Sequence, residues 1–432
     1  MSAAEIARRI KSGDISPTAV VEAALARAER LEPRLRAWVH LDAEGALRAA
    51  GVLAKEARSA GLRGPLHGVP VAVKDIFDVA GMVTTSGAAS FAHRRDVPDA
   101  PSIARLRQAG AVILGKTATT QFAFADPTET RNPWNLDHSP GGSSSGSAAA
   151  VAARIVPAAL GSQTIGSTLR PASYCGIIGL KPTHGVISTE GVTPLSWSLD
   201  HVGIFARTVD DAALLFSVLT GTGVGSPSPR GTRPRAFGIP RAFVETVSTR
   251  EVKDNLAAAT DVLAGAGARI EDVALPGSAD QIAEVGRIVL RAEAAAYHST
   301  WFSAHAAQYA PRIRELVEAG LKVSAVDLVR AEQARQRFRH DMTPIFERYD
   351  ALLMPAAPAT APHLSLGTTG DPVLCAPWSF GGFPAIAIPS GLSTARLPIA
   401  IQLVCGANAE QRLLEVAKWC QDRLNFTAEP KL

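Results

Sequence analysis

The sequence predicts an α/β protein in which helices cover a large mixed β-sheet. Short apolar runs typical of buried strands recur along the chain, and amphipathic or small-residue helical segments separate them. The 432 residues, of which 47% are hydrophobic and 19% charged, are enough for a large core and have the composition of a globular enzyme. We therefore expect a single domain over residues 1–432, organised around one sheet.

Residues 1–60 are predicted to form helices. Ser2 opens the pattern of a capping box, and Ser16 followed by a proline fits an N-cap with proline at the first helical position. Apolar residues then recur at a spacing of three and four, which predicts an amphipathic helix over about 17–31.

The strand pattern is concentrated in the rest of the chain. Apolar runs predict strands over residues 68–74, 111–114, 156–160, 235–240, 351–355, 385–389 and 399–404. Helical segments are predicted over residues 103–109, 148–153 and 409–424. Residues 223–234 are rich in Gly, Pro and Ser and are expected to be a linker loop, whereas the charged segment 284–348 predicts an outer helical cover.

Charge and composition argue against several classes of function. The net charge of +4 is spread along the chain with no block of Lys or Arg, which gives no indication of nucleic-acid or membrane-surface binding. Neither a long apolar window nor an apolar N-terminal segment occurs, so we expect no membrane span and no secretory signal. The four cysteines form no CxxC pair, and the ten histidines form no HExxH motif. We therefore expect a cytoplasmic protein with reduced thiols, no cofactor and no metal.

The densest polar signal is a Gly/Ser-rich segment over residues 139–147 (SPGGSSSGS), directly before a helix of small residues. A flexible linker is disfavoured, because apolar elements flank the segment closely on both sides. A phosphate-binding loop is a weak interpretation, because the segment lacks both the Lys-Ser/Thr of a P-loop and GxGxxG. The third interpretation is a backbone that holds serine hydroxyls for catalysis.

A second Gly/Ser turn over residues 161–171 (GSQTIGSTLRP) supports the catalytic interpretation. A serine nucleophile needs a base, because its hydroxyl hardly ionises near neutral pH. Neither a GxSxG elbow nor a Ser-His-Asp set can be placed. Lys74, which ends the apolar run 69–73, is the candidate base, since burial keeps a lysine neutral. Taken alone, a lysine at a strand end more often reaches solvent.

Four ordered blocks of the sequence resemble the amidase signature family. They lie at residues 65–88 (PLHGVPVAVKDIFDVAGMVTTSGA), 98–124, 141–188 and 380–391 (FGGFPAIAIPSG). The resemblance extends over nearly the whole chain and is weakest over about 223–349. It implies the amidase signature fold, with helices on both faces of the sheet. The catalytic core is then expected over about 61–222 and 350–432, and a variable helical cover over about 223–349.

The resemblance also implies roles for individual residues. Ser167 matches the nucleophile, Ser143 the bridging serine after a cis peptide bond, and Lys74 the terminal base. The oxyanion hole of the family corresponds here to the backbone N–H groups of Thr164, Ile165, Gly166 and Ser167. These roles imply a proton relay from the nucleophile to the lysine and a covalent acyl-enzyme.

Two positions before the nucleophile depart from the family pattern, which usually has Asp and Gly where this chain has Gln163 and Ile165. A β-branched residue strongly disfavours a positive φ. If position 165 needs a glycine conformation, Ile165 distorts the oxyanion hole. If the backbone there is ordinary, the side chain only narrows the pocket, and we favour this second outcome.

Arg170 follows the nucleophile by three residues, a spacing most similar to malonamidase-type members of the family. In those members the equivalent arginine pairs with a substrate carboxylate, so the resemblance implies a small amide that bears a carboxylate. A structural ion pair is the alternative role for Arg170 and carries nearly equal weight.

The expected function is therefore hydrolysis of a small amide by a stand-alone enzyme, with no nucleic-acid or membrane partner. The glutaminase subunit of a tRNA-dependent amidotransferase shares these motifs and is the alternative, although the short stretch 124–134 and the spacing of Arg170 argue against it. A catalytically impaired, amidase-like binding protein is the third interpretation. The identity of the amide and the choice between a monomer and a homodimer stay open.

Overall fold

Strands and helices alternate along most of the chain, as predicted. The computed structural model describes residues 1–59, 61–90, 94–221, 231–277 and 279–432, with residues 279 and 280 described by their backbone alone. The strands are β1 (Trp38–Leu41), β2 (Pro70–Lys74), β3 (Val112–Thr117), β4 (Ala158–Gln163), β5 (Ile178–Lys181), β6 (His201–Ala206), β7 (Ala236–Ile239), β8 (Arg269–Asp272), β9 (Ala351–Pro355), β10 (Ala385–Leu392) and β11 (Pro398–Val404). The helices are α1 (Ala3–Lys11), α2 (Pro17–Leu35), α3 (Ala43–Ser59), α4 (Pro101–Gln108), α5 (Ser145–Ala152), α6 (Leu169–Cys175), α7 (Val209–Thr220), α8 (Arg241–Val247), α9 (Arg250–Gly265), α10 (Ala279–His298), α11 (Phe302–His305), α12 (Pro311–Gly320), α13 (Ala325–Arg348), α14 (Ala376–Phe380) and α15 (Glu410–Leu424).

The described strands form one mixed sheet of 11 strands in the order β1-β3-β2-β4-β6-β5-β10-β11-β9-β7-β8. Strands β3, β2 and β4 are mutually parallel, as are β9, β7 and β8, and the pairs between these two groups are antiparallel. Every residue of β2, β3, β4, β6 and β11 is buried. Because successive side chains of a strand point to opposite faces, helices must cover both faces of the sheet, which confirms the predicted fold class.

The N-terminal segment contains the two predicted helix caps and one strand that was not predicted. Ser2 Oγ accepts a hydrogen bond from the Glu5 N–H at 3.0 Å, and Ser16 Oγ caps α2 in the same way. The prediction of helices alone over residues 1–60 is wrong at β1, which pairs antiparallel with β3 at the edge of the sheet. Arg36, with a left-handed φ of 51°, ends α2 and turns the chain into this strand.

The central segment forms helices, as predicted, but it also contributes strands. Helices α8 to α13 lie between residues 223 and 349, together with the predicted strand β7 and the unpredicted strand β8. These two strands complete one end of the sheet, so the cover is continuous with the core. The linker predicted over 223–234 lies largely outside the described residues. No described helix is both long and apolar enough to cross a membrane.

One edge of the sheet brings the predicted chemistry together. Strands β2 and β4 are parallel neighbours, with Val73 opposite Leu160, so their carboxyl ends lie at the same edge. Lys74 is the last residue of β2, and the chain beyond Gln163 turns from β4 into α6. Parallel strands commonly place functional groups at this end.

Candidate active site

Lys74 is fully buried at the end of β2, where its ammonium nitrogen meets two serine hydroxyls. The Lys74 Nζ lies 2.7 Å from Ser143 Oγ and 2.8 Å from Ser162 Oγ. Burial lowers the pKa of Lys74 to about 7, and the charge of Asp200 opposes that shift. A substantial fraction of this side chain is therefore neutral near neutral pH.

Ser143 follows a cis peptide bond to Gly142, which is the bond that the family resemblance implies. Its carbonyl accepts a hydrogen bond from the Thr120 N–H, and helix α5 begins two residues later. Gly142 has no room for a side chain, because a Cβ there would lie 2.7 Å from Thr369 Cγ2. The Gly/Ser segment is thus a tightly packed turn and not a linker.

Ser167 lies in the turn between β4 and α6 and is 7% exposed, whereas Ser143 and Lys74 are fully buried. No described residue accepts a hydrogen bond from the N–H groups of Ile165, Gly166 or Ser167. The next two N–H groups, those of Thr168 and Leu169, are taken by one acceptor, Gln163 Oε1, at 2.8 and 2.9 Å. The turn therefore holds free donors directly beside the most accessible of the three predicted residues.

The backbone of Ile165 is ordinary, since its φ is not positive. Its carbonyl accepts a hydrogen bond from Ser379 Oγ at 2.6 Å, and Ser379 Oγ in turn accepts one from Gln163 Nε2 at 3.0 Å. Gln163 thus connects the start of α6 to α14. These bonds hold the peptide that carries Ile165 without requiring a glycine conformation, which is the outcome that we favoured from the sequence.

Asp200 is a buried carboxylate beside the turn that the sequence reasoning did not single out. Its Oδ1 accepts a hydrogen bond from Thr164 Oγ1 at 2.5 Å, and its Oδ2 accepts from the N–H groups of Leu195 and Ser196. Burial raises the pKa of Asp200 to about 6, although these hydrogen bonds favour the ionised form. Thr164, the first residue after β4, is therefore anchored through its side chain.

Arg170 is 5% exposed and bonds to carbonyl oxygens, in contrast to the ion pair that was one of its predicted roles. Its Nη1 donates to Gly370 O at 2.5 Å, and its Nη2 donates to Gly142 O at 2.6 Å and to Thr369 Oγ1 at 3.2 Å. Its Nε is buried and has no partner in the described part of the chain. No carboxylate among the described residues lies within 4.0 Å of the guanidinium. Burial lowers the pKa of Arg170.

The structure brings Lys74 and Ser143 into direct contact and places Arg170 against the carbonyl that precedes Ser143. Sequence reasoning missed the contacts made by Ser162, Asp200 and Ser379. The only available signals were their positions, beside or inside segments that already matched the family. Among the described residues, no group of three or more His, Cys, Asp or Glu side chains could hold a metal ion.

Fold and site together define a class of protein, the α/β enzymes that act on amide C–N bonds. The chain belongs to the family described as Amidase, whose profile matches residues 19–414. It is 35% identical to the A-subunit of the glutamyl-tRNA(Gln) amidotransferase of Roseiflexus sp. (strain RS-1), over 94% of this chain and 92% of the relative. The corresponding protein of Symbiobacterium thermophilum is 32% identical and is covered almost completely.

Solved structures agree with this assignment. A crystal structure of an amidase matches with a TM-score of 0.91 and 34% identity, over 98% of this chain and 100% of the other. The peptide amidase of Stenotrophomonas maltophilia matches with a TM-score of 0.87 and 29% identity, over 100% of this chain and 98% of the other. None of these relatives is named a malonamidase, so that finer resemblance remains part of a proposal.

Proposed function

We propose that this chain hydrolyses the C–N bond of a small carboxamide through an acyl-enzyme on Ser167. One observation carries the proposal: the buried Lys74, with its pKa lowered to about 7, lies 2.7 Å from Ser143 Oγ. A neutral amine in that position can accept a proton from a hydroxyl. The bond between Lys74 and Ser162 uses an N–H of the same amine and leaves its lone pair for Ser143.

The reaction consists of two transfers of the acyl group. Ser167 Oγ attacks the carbonyl carbon while its proton passes to Ser143, whose own proton passes to Lys74. The C–N bond then breaks, and the same relay returns a proton to the nitrogen, which leaves as ammonia or an amine. Water next attacks the Ser167 ester by the same route, and the acid is released. Each proton taken up by Lys74 is returned within one half of the cycle.

The negative oxygen of each tetrahedral intermediate needs hydrogen-bond donors that are already in place. The free N–H groups of Ile165, Gly166 and Ser167 support this role. Three tethers hold their turn, namely Asp200 on Thr164, Ser379 on Ile165 and Gln163 on the start of α6. An ordered turn of this kind argues against the interpretation as a catalytically impaired protein.

We propose Arg170 as the group that selects a carboxylate on the substrate. Three of its five N–H hydrogens are used by Gly370, Gly142 and Thr369, so the Nε hydrogen and one on Nη1 remain. A buried guanidinium without an anionic partner favours a negatively charged ligand. Because Arg170 also binds the carbonyl of Gly142, a bound carboxylate would lie close to the bridging serine.

A second candidate function is the release of ammonia from glutamine as the glutaminase subunit of an amidotransferase. Sequence identities of 31–35% over nearly the full length of such subunits favour it over a malonamidase-type activity. The alignments extend over up to 484 positions, more than the 432 residues of this chain, so the relatives contain positions without a counterpart here. Both candidates require cleavage of an amide C–N bond by the same relay.

The test is covalent labelling followed by an amide panel. We expect a fluorophosphonate probe to label the wild-type protein and not Ser167→Ala, whereas the control Ser173→Ala, on α6, keeps its label. Ammonia release is then measured for neutral amides, carboxylate-bearing amides and glutamine. We expect the carboxylate-bearing amides to react fastest, and Arg170→Met to remove that preference. A folded wild-type protein that neither labels nor releases ammonia would contradict the proposal.

A further inference from the structure

Arg335 is a buried guanidinium in α13 that bonds to two different parts of the core. It is 3% exposed, and its charge is balanced by Glu332 on the same helix, with Nη1–O distances of 2.7 and 2.9 Å. Its Nε donates to Phe380 O at 3.0 Å, its Nη2 to Ser198 O at 3.0 Å, and its Nη1 to Ser198 Oγ at 3.2 Å. A helix of the variable cover therefore reaches the end of α14 and the loop before β6.

Each of these two contact points lies next to a tether of the oxyanion turn, the residues 164–167 between β4 and α6. Phe380 directly follows Ser379, which donates to the carbonyl of Ile165. Ser198 lies two residues before Asp200, which accepts a hydrogen bond from the Thr164 hydroxyl. One guanidinium thus connects two of the segments that hold the turn, one bound to the side chain of Thr164 and the other to the carbonyl of Ile165.

A neighbouring helix holds the same loop. Glu293 of α10 accepts hydrogen bonds from Ser196 Oγ and, at 3.1 Å, from the Ser198 N–H. The loop that carries Asp200 is therefore bonded to two cover helices, and among the described hydrogen bonds only those of Arg335 join this loop to α14. Flat, multidentate donation of this kind is specific to arginine, because a lysine offers a single nitrogen.

We propose that Arg335 is a positioning residue, which aligns the backbone donors of Ile165, Gly166 and Ser167 by bonding to both segments that tether their turn. The inference rests on the proposed amide hydrolysis, since only that chemistry uses those donors. It assigns a catalytic consequence to the helical cover, the region where the family resemblance is weakest. Arg335 acts through the turn and touches no reacting atom.

The experiment compares Arg335→Met with Arg339→Met. Arg339 lies one turn further along α13 and donates to Gly381 O at 2.8 Å, but it makes no described bond to Ser198 or Phe380. The two variants therefore remove the same charge from the same helix. For each protein we would measure kcat and KM on the best amide, and hydrogen exchange at the amides of Thr168 and Leu169, which donate to Gln163 Oε1 in this turn.

We expect Arg335→Met to lower kcat about tenfold with little change in KM, because oxyanion donors act in the transition state and complete loss of one costs 10²–10³ in kcat. Amide exchange in the turn should rise in parallel, whereas Arg339→Met should match the wild type in both measurements. Equal kcat and equal exchange in the two variants would overturn the proposal. So would a loss of thermal stability without any change in kcat.

A second, milder variant keeps the proposal testable if Arg335→Met does not fold. Glu332→Gln keeps Arg335 but weakens the bond that orients it, and it should produce a smaller change in the same direction. The exchange measurement needs no turnover, so it separates the two claims. If the wild type has no activity, the proposed function fails. If exchange in the turn does not respond to either variant, the role of Arg335 fails.

Discussion

Three lysines in the described chain are fully buried, and their partners show why only one is suited to be a base. Lys116 forms an ion pair with Asp75 at 2.8 Å, which favours its charged form. Lys181 donates to the carbonyl oxygens of Phe383 and Pro182, which cannot give up a proton. Lys74 alone of the three meets the hydroxyls of two serines. Burial supplies a neutral amine, and the neighbouring group decides whether that amine can take part in catalysis.

The pH dependence of activity tests this assignment at the level of one residue. Because burial lowers the pKa of Lys74 to about 7, the neutral base is lost as the pH falls through that value. We expect kcat/KM to rise about tenfold per pH unit below about pH 6 and to level off above about pH 8. A profile that stays flat down to pH 5 would exclude Lys74 as the base.

The control for that profile is Asp200→Asn. The charge of Asp200 stabilises protonated Lys74, so its removal should move the acid limb of the profile to lower pH. The asparagine side chain keeps an oxygen that can accept a hydrogen bond from the Thr164 hydroxyl. Lys74→Met should abolish turnover across the whole pH range while leaving a folded protein.

At the scale of elements, a local apolar pattern predicts some strands of the sheet, and others depend on contacts that no local pattern contains. Apolar runs predicted β2, β3, β4, β7, β9, β10 and β11, because buried strands leave a local signal. Strands β5 and β6 are interrupted by glycine and polar residues, and β8 (RIED) is charged, so none of them gives such a run. These strands form through pairing with partners that are distant in sequence.

The candidate site divides in the same way. Lys74, Ser143 and Ser167 could be predicted because each lies in a contiguous block that resembles the family. The tethers could not, since Thr164 and Asp200 are 36 residues apart in sequence, and Ser379 and Ile165 are 214 apart. The role of Gln163 could not be predicted from the sequence either, because its bonds to Thr168 and Leu169 depend on the folded turn.

The Ile165→Gly variant tests the turn as an element. The φ of Ile165 is not positive, and its side chain packs against the core, so a glycine gains nothing in conformation and loses packing. Glycine also adds freedom to the unfolded chain, at a cost of about 0.5–1 kcal/mol. We expect a lower melting temperature and an unchanged or reduced kcat, measured by thermal unfolding and ammonia release. A clear rise in kcat would show that isoleucine distorts the oxyanion hole.

At the scale of the whole molecule, one continuous sheet joins the catalytic core to the helical cover. Strands β7 and β8 come from the central segment and complete one end of the sheet. Helices α10 and α13 of the same segment hold the loop that carries Asp200. The central segment is therefore part of the scaffold of the site as well as a cover over it.

The proposed stand-alone activity leads to a prediction about partners. We expect the purified chain, with no other protein present, to release ammonia from its best amide. The rate per enzyme molecule should not depend on protein concentration. Size-exclusion chromatography with light scattering would show whether the active species is a monomer or a homodimer. The inactive Ser167→Ala protein, prepared in the same way, controls for contaminating amidases. Activity that arises only when a copurified partner protein is added, and then with glutamine as the preferred amide, would overturn the stand-alone proposal. That result would instead support the role in an amidotransferase, because the chain would then need the partner protein for an active site that is competent in catalysis.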